Sequence, residues 1–503
     1  MIKFNFKKLM ILTFFFIVVG CDDDDVMNNP TPEIAEEETP IELTIEEQQE
    51  ETTASVTNST SKTWKITEAI LRNSNGEFNI SDNFNILDDE FVFKQLNGSF
   101  ALTWNIAHDV DVDAASAQET LVDYYRAPLD YTLSFDNDST TNFSDEDGQL
   151  IFEKTESSFT STVFFSNDSQ LDIVLSEKTA ADYATIPTSG LSFNEITSFN
   201  ANGFAGQRNV GFVGSYSDNS MFIAHRADCG GPIGANGFNL RSRILKFDID
   251  SATITDEYSS FSDFFTRQLN IINNELILTG GQKVYTYDLS ISSEPSEVPY
   301  EIDNVLSRYS TSVSGSDIYI VGGDLDEQVE ANKIRKINTL TGDIEVVATM
   351  PGSKIHAGSE IVNDKLYIFS GRQKFNDNTT VTTASYIYNL SDGSFQTFDM
   401  PVALYNSYAS RNGNLIYIAG DIQEDTDGNA GTDNYDIWMG VYNTLTDEIT
   451  EITHNLDDTD GFSYIQQLTV FNGKLYVIYG DAAATNGDPD CEMSSWSILE
   501  AII

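Results

Sequence analysis

The chain has 503 residues, with 27 basic and 79 acidic side chains and a formal net charge of −52. A surface this acidic repels phosphate backbones, which excludes nucleic acid as a partner. Hydrophobic residues make up 40% and aromatics 12%, enough for a sizeable core, and the 32 Phe and 22 Tyr favour strands.

The first segment reads as an address. Lys3, Lys7 and Lys8 precede an apolar stretch at 9–19, too short for the ~20 residues of a spanning helix and laid out like a secretory signal. It ends Ile17-Val18-Val19-Gly20-Cys21, which resembles the lipobox of bacterial lipoproteins. That resemblance implies a signal peptide over 1–20, lipidation of Cys21 and an anchor in the outer membrane. Asp22, Asp23, Asp24 and Asp25 follow and resemble the surface-export signal of lipoproteins in Bacteroidota, which implies a head facing the cell exterior. Between 22 and 60 there are thirteen acidic residues and no Lys or Arg. Residues 21–60 are therefore expected to be a disordered, self-repelling acidic tether.

Residues 61–186 read as short strands divided by Asn, Asp, Gly and Ser turns. A hairpin is expected over 91–104 around Asn97-Gly98, with further strands at 131–135, 149–153, 158–165 and 170–175. The order is an up-and-down meander opened by Trp64. It resembles the lipocalin-like domains of Bacteroidota lipoproteins, although Lys62 stands where their Gly-x-Trp has glycine; a β-sandwich spacer fits the same pattern. His108, near Asp109 and Asp111, reads as a surface residue.

Internal repetition dominates residues 190–503. A strand ending in small residues recurs at Met221-Phe-Ile-Ala, Leu276-Ile-Leu-Thr-Gly-Gly281, Ile318-Tyr-Ile-Val-Gly-Gly323, Leu366-Tyr-Ile-Phe-Ser-Gly371, Ile416-Tyr-Ile-Ala-Gly420 and Leu475-Tyr-Val-Ile-Tyr-Gly480. Each start lies 42 to 59 residues from the next. A strand and tight turn precede each one, and a third strand follows, such as Ile334-Arg-Lys-Ile-Asn338. Four strands per unit and Gly-Gly after the second strand resemble the kelch β-propeller, and Met350-Pro351 and Met400-Pro401 fit its entry to a new unit. The fold class expected is all-β: a six-bladed kelch-like propeller behind a small up-and-down β domain, a lipocalin-like barrel or sandwich.

In such a ring the sixth unit lacks an outer strand, and residues 191–199 are expected to supply it by pairing with 496–502. Cys229 and Cys491 then fall in equivalent loops of neighbouring blades, so a disulfide between them is expected.

Propeller ligands usually meet the loops after second strands. His225, Arg226, Gln282, Asp324, Arg372, Asp421 and Asp481 mark that candidate face, with His356 and Arg308 near the starts of first strands. Two arginines among carboxylates suit an acidic sugar, because a guanidinium grips a carboxylate bidentately; a structural ion network uses the same residues. Asp425, Asp427, Asn429 and Asp433 carry oxygens at calcium-loop spacings 1, 3, 5 and 9, but the glycine is misplaced for an EF-hand. Calcium is thus a possible cofactor and an acidic solvated loop the alternative.

Kelch-like propellers include copper sugar oxidases, whose ligand set the four dispersed histidines (His108, His225, His356 and His454) do not supply. No nucleophile elbow, P-loop or His-Glu-x-x-His motif is present. The expected function is non-catalytic binding of a glycan or protein partner through the loop face. The alternative is a sugar-processing propeller enzyme such as an acid-sugar mutarotase.

Overall fold

The computed structural model describes residues 43–503 apart from 59–60, 82–85, 97–98, 106–129, 166–167, 203–209, 216–218, 229–240, 262–267, 273–274, 289–295, 307, 324–330, 376–377, 425–433, 457–462 and 482–492. Two β bodies follow one short helix. Among the described residues no helix is long and apolar enough to cross a membrane.

The helix, Ile45–Thr57, lies inside the stretch expected to be disordered tether. Composition argued for disorder, but tertiary contacts override it. Val56 is fully buried in the core of the following domain, and its carbonyl accepts the Trp64 indole N–H at 2.9 Å. Gln49 and Thr52 donate to the carbonyls of Ser139 and Thr140 at 2.7 and 2.6 Å. A marginal helix is stabilised by such docking rather than by its own propensity.

The first β body is a closed eight-stranded antiparallel barrel, which settles barrel against sandwich. Strand Ser61–Asn73 pairs on one side with Glu90–Leu96 and on the other with Gln170–Glu177, so the meander has no free edge between its first and last strands. Side chains alternate inward and outward, as along Gln170–Glu177, where Leu171, Ile173 and Leu175 are buried. The interior is filled by rings: Phe91, Phe93, Phe143, Phe152 and Phe159 form a contiguous aromatic cluster closed by Trp64 and Trp104. Each buried ring is worth about 2–3 kcal/mol in apolar area. Asp89, buried beside this cluster, accepts the Trp104 indole N–H at 2.9 Å.

The second body is a propeller of six blades. Blade I comprises Gly211–Ser215, Ser220–Asp228, Arg241–Asp248 and Thr253–Phe261. Blade III runs Ser310–Ser314, Asp317–Val321, Lys333–Asn338 and Ile344–Thr349; blade IV runs Gly358–Val362, Lys365–Phe369, Ala384–Asn389 and Phe395–Asp399. Blade V is Asn406–Asn412, Leu415–Glu424, Asn434–Asn443 and Glu448–Glu451. Blade II departs from expectation: its second and third strands are one continuous strand, Glu275–Asp288, between Gln268–Ile272 and Ser296–Leu306. Its Gly280-Gly281 pair does not break the strand as Gly322-Gly323 does in blade III.

The ring closes as expected. Blade VI runs Ser463–Phe471, Lys474–Asp481 and Met493–Ile502, and Asn194–Asn202 forms its outer strand, pairing with Met493–Ile502 in a register that places Phe199 opposite Trp496. Leu191 instead bridges to His454. The innermost strands of the six blades touch their neighbours around a complete circle. Side-chain hydrogen bonds tie them: Thr311 to Asn270 at 3.2 Å, Ser312 to Ser359 at 2.8 Å, the Gly358 N–H to Ser407 at 2.6 Å, and the Val470 N–H to Ser410 at 2.8 Å. Gln467 completes the seam from blade VI to blade I by donating to the Val210 carbonyl at 3.3 Å. Between blades the apolar faces pack, with Met350 and Met400 of the two Met-Pro pairs buried.

Candidate functional site at the channel mouth

The inner strands of blades III, IV and V are entered by equivalent residues. Arg308, His356 and Asn406 each stand ten positions ahead of Ile318, Leu366 and Ile416, the second residues of the second strands. Two of the three adopt left-handed backbone, Arg308 at φ 63° and His356 at φ 54°. Each is stitched to its neighbour: the His356 N–H donates to the Arg308 carbonyl at 2.8 Å, and the Ser407 N–H donates to the His356 carbonyl at 2.9 Å. Together they form a rim at the end of the channel where second strands finish.

Arg372 and Asp421 come to this rim by different routes. Arg372 exchanges two backbone hydrogen bonds with Ile355, at 2.8 and 2.9 Å, and begins a hairpin, Arg372–Phe375 with Asn378–Val381, that rises from blade IV. Its guanidinium carbon lies 4.0 Å from the centre of the Tyr405 ring, a stacked cation–π arrangement. Asp421 is fully buried; its carboxylate accepts from Asn406 Nδ2 at 3.1 Å and its carbonyl accepts the Tyr405 N–H at 2.7 Å. Tyr405, half-buried, is thus held between both expected residues. The second and third strands of blade V also extend past their neighbours, Leu415–Glu424 against Asn434–Asn443, so blades IV and V wall one side of the mouth.

Other expected face residues lie elsewhere. His225 is fully buried in the second strand of blade I, its ring 5.7 Å from Phe199 and 6.3 Å from Trp496, in the seam with the closing strand. The ladder of blade I runs on to Asp228, so His225 sits within it and not in a loop. Arg226, Gln282 and Asp481 are strand residues whose side chains are not among those described, and Gln282 lies in the unbroken strand of blade II. Cys21, Cys229, Cys491, His108, Asp324, Asp425, Asp427, Asn429 and Asp433 lie outside the described residues. Among the described residues no cluster of three or more His, Cys, Asp or Glu is placed to hold a metal. His454, half-buried, shares a 3.1 Å hydrogen bond with the Ile437 carbonyl, and burial lowers its pKa.

Four residues went unmarked in the sequence. Asn406 was findable by counting ten positions back from Ile416, and Tyr405 is the residue before it. Glu360 lines the inner strand of blade IV, where burial raises its pKa and Arg411 of blade V opposes that rise. The fourth, Lys354, is fully buried, with Nζ donating to the carbonyls of Ser370 at 2.8 Å and of Ala384. Burial pushes its pKa down to about 7.

No protein-family model matches the chain. No curated protein matches it either. Among solved structures it is similar to one titled "Structure of YjhT", 12% identical over 57% of this chain and 93% of that one, with a TM-score of 0.42.

Proposed function

We propose that the protein is a cell-surface binding module that takes a glycan or protein ligand at the channel mouth of its propeller, without catalysis. The observation that carries this reading is the rim itself: a guanidinium stacked on Tyr405, beside a buried Asp421–Asn406 pair, walled by the long hairpins of blades IV and V. The Tyr405 ring fixes the guanidinium, and a positioned guanidinium with polar groups around it suits the hydroxyls or carboxylate of a sugar or of a side chain. The kelch resemblance of the repeats agrees with that use. A lipid anchor at Cys21 and an outward-facing place on the outer membrane belong to the same reading and rest on residues 17–25. Calcium at Asp425, Asp427, Asn429 and Asp433 would stiffen the blade V hairpin.

A second reading, an acid-sugar mutarotase, draws on the cations Arg308 and Arg372, with His356 beside them, near one mouth in a chain of −52 net charge. A glycan array tests both, run with calcium and with EDTA on the chain from residue 22 onward. Ligands should be retained by the wild type and lost, by tenfold or more in affinity, in Arg372→Ala. Retention unchanged in that variant would move the site elsewhere, and conversion of a bound sugar seen by NMR would favour the enzyme.

A further inference from the structure

Lys354 breaks the repeat at a buried position. It follows Met350-Pro351 at the spacing by which Leu404 follows Met400-Pro401, and both side chains are 0% exposed. Leucine fills such a site without electrostatic cost, whereas an ammonium must give up its water.

The main chain of Lys354 is tied to blade III: its N–H donates to Ala331 at 2.7 Å and its carbonyl accepts from Gly323 at 3.0 Å. Its side chain crosses into blade IV, where Nζ bonds the carbonyls that end the second strand (Ser370) and begin the third (Ala384), 4.9 Å from the Tyr386 ring centre. Ser370 in turn receives the Leu404 N–H on its hydroxyl at 2.7 Å, at the entry to blade V. The next residues on both sides are mouth residues, with Ile355 bonded to Arg372 and Tyr405 beneath the guanidinium.

We propose that Lys354 is an acid-sensitive pin of the mouth: its neutral amine holds blade IV's second strand to its third, and protonation favours its withdrawal into water, freeing the turn at 370–372 that carries Arg372. The inference goes beyond the binding reading and does not depend on which ligand is bound.

Either protonation state of Lys354 can donate to the two carbonyls, and the third N–H of an ammonium would face the ring of Tyr386, so it is removal from water that favours the neutral amine. The titratable or charged groups on the elements around it are Tyr386 from the third strand, Arg372 from the hairpin, His356 on its own segment and Tyr405 from the entry to blade V. No carboxylate among the described residues pairs with the ammonium to oppose burial, so Lys354 falls from the ordinary 10.5 to about 7. The sign follows from linkage. An open state that hydrates the amine binds the proton more tightly than the closed state, so acid favours opening; as pH rises through 7 the closed state gains.

Hydrogen exchange of the full chain, corrected for intrinsic rates, tests this at pH 6.0 and 8.5. Peptides covering 365–375 and 400–408 should exchange about threefold faster or more at pH 6.0, while 434–451 in blade V stays unchanged. Lys354→Met and Lys354→Leu, the second copying the next repeat, should abolish the difference. No pH difference in the wild type overturns the proposal. So does a difference that survives the substitutions, because His356 remains in both variants and would then be its source.

Discussion

Ser370 shows how a single side chain repairs a lost glycine. Blade III turns at Gly322-Gly323, and a Cβ on Gly322, at φ +64°, would stand 2.1 Å from the Lys354 carbonyl oxygen. Left-handed backbone and close approach of a carbonyl both demand glycine there. Blade IV has Ser370-Gly371, with Ser370 in the same left-handed region at φ 47°. Its hydroxyl offsets the strain by accepting the Leu404 N–H and donating to the Thr382 carbonyl at 2.9 Å. Ser370→Ala keeps the strained backbone and strands the buried Leu404 N–H, so a loss of about 1–3 kcal/mol is expected in urea unfolding. Ser370→Gly loses the same bonds but recovers about 1 kcal/mol of left-handed strain, and should be the milder change. The reverse order would mean that the hydroxyl does not hold blade V.

The closing strand is where repeat counting reached furthest. A sixth unit one strand short, with an orphan strand ahead of the first, implies closure by pairing, and Phe199 opposite Trp496 is that pairing in register. Phe199 is 9% exposed and its ring meets that of Trp496 edge-on at 5.9 Å. Phe199→Ala should cost about 3 kcal/mol, and should expose Trp496, seen as a red shift of fluorescence before global unfolding. An unshifted spectrum and unchanged stability would place the lock in backbone bonds alone.

The meander of strands was readable, though not its closure into a barrel, and burial alternates along 159–164 and 170–175 as an up-and-down order requires. What escaped was short or lay beyond an assumed strand end. Asn142–Asp145 has one buried ring, Phe143, to mark it. His225 and Asp421 were taken for loop residues because small or polar residues near them looked like turns, yet both ladders continue past them. Helix Ile45–Thr57 is invisible to composition because the groove that receives it is made by residues far along the chain.

The two β bodies meet at the end of the propeller away from the mouth. Lys94 of the barrel pairs with Asp364, in the turn between the first two strands of blade IV, and Asn414 of blade V donates to the Ala184 carbonyl at 3.4 Å. The connecting segment is held as well: the Leu191 N–H bonds Thr453 at 2.8 Å, and Phe193 and Asn455 exchange two hydrogen bonds at 2.7 and 3.0 Å. Against these contacts stands the charge. With 79 acids and 27 bases, 79 − 27 = 52 acids would lack a cation even if every base were paired. Several of the described ion pairs, such as Arg72 with Glu77, lie on the surface, where such pairs contribute little. Repulsion among the unpaired acids reaches across ~30 Å at 0.01 M salt and only ~8 Å at 0.15 M. Folding gathers these charges, so screening should favour the folded chain. Raising sodium chloride from 10 to 150 mM should therefore lift the melting temperature by about 2–4 °C, the shift that ~1 kcal/mol brings in a domain of 150–250 residues. A falling melting temperature would mean that ion pairs, Lys94–Asp364 among them, outweigh the repulsion.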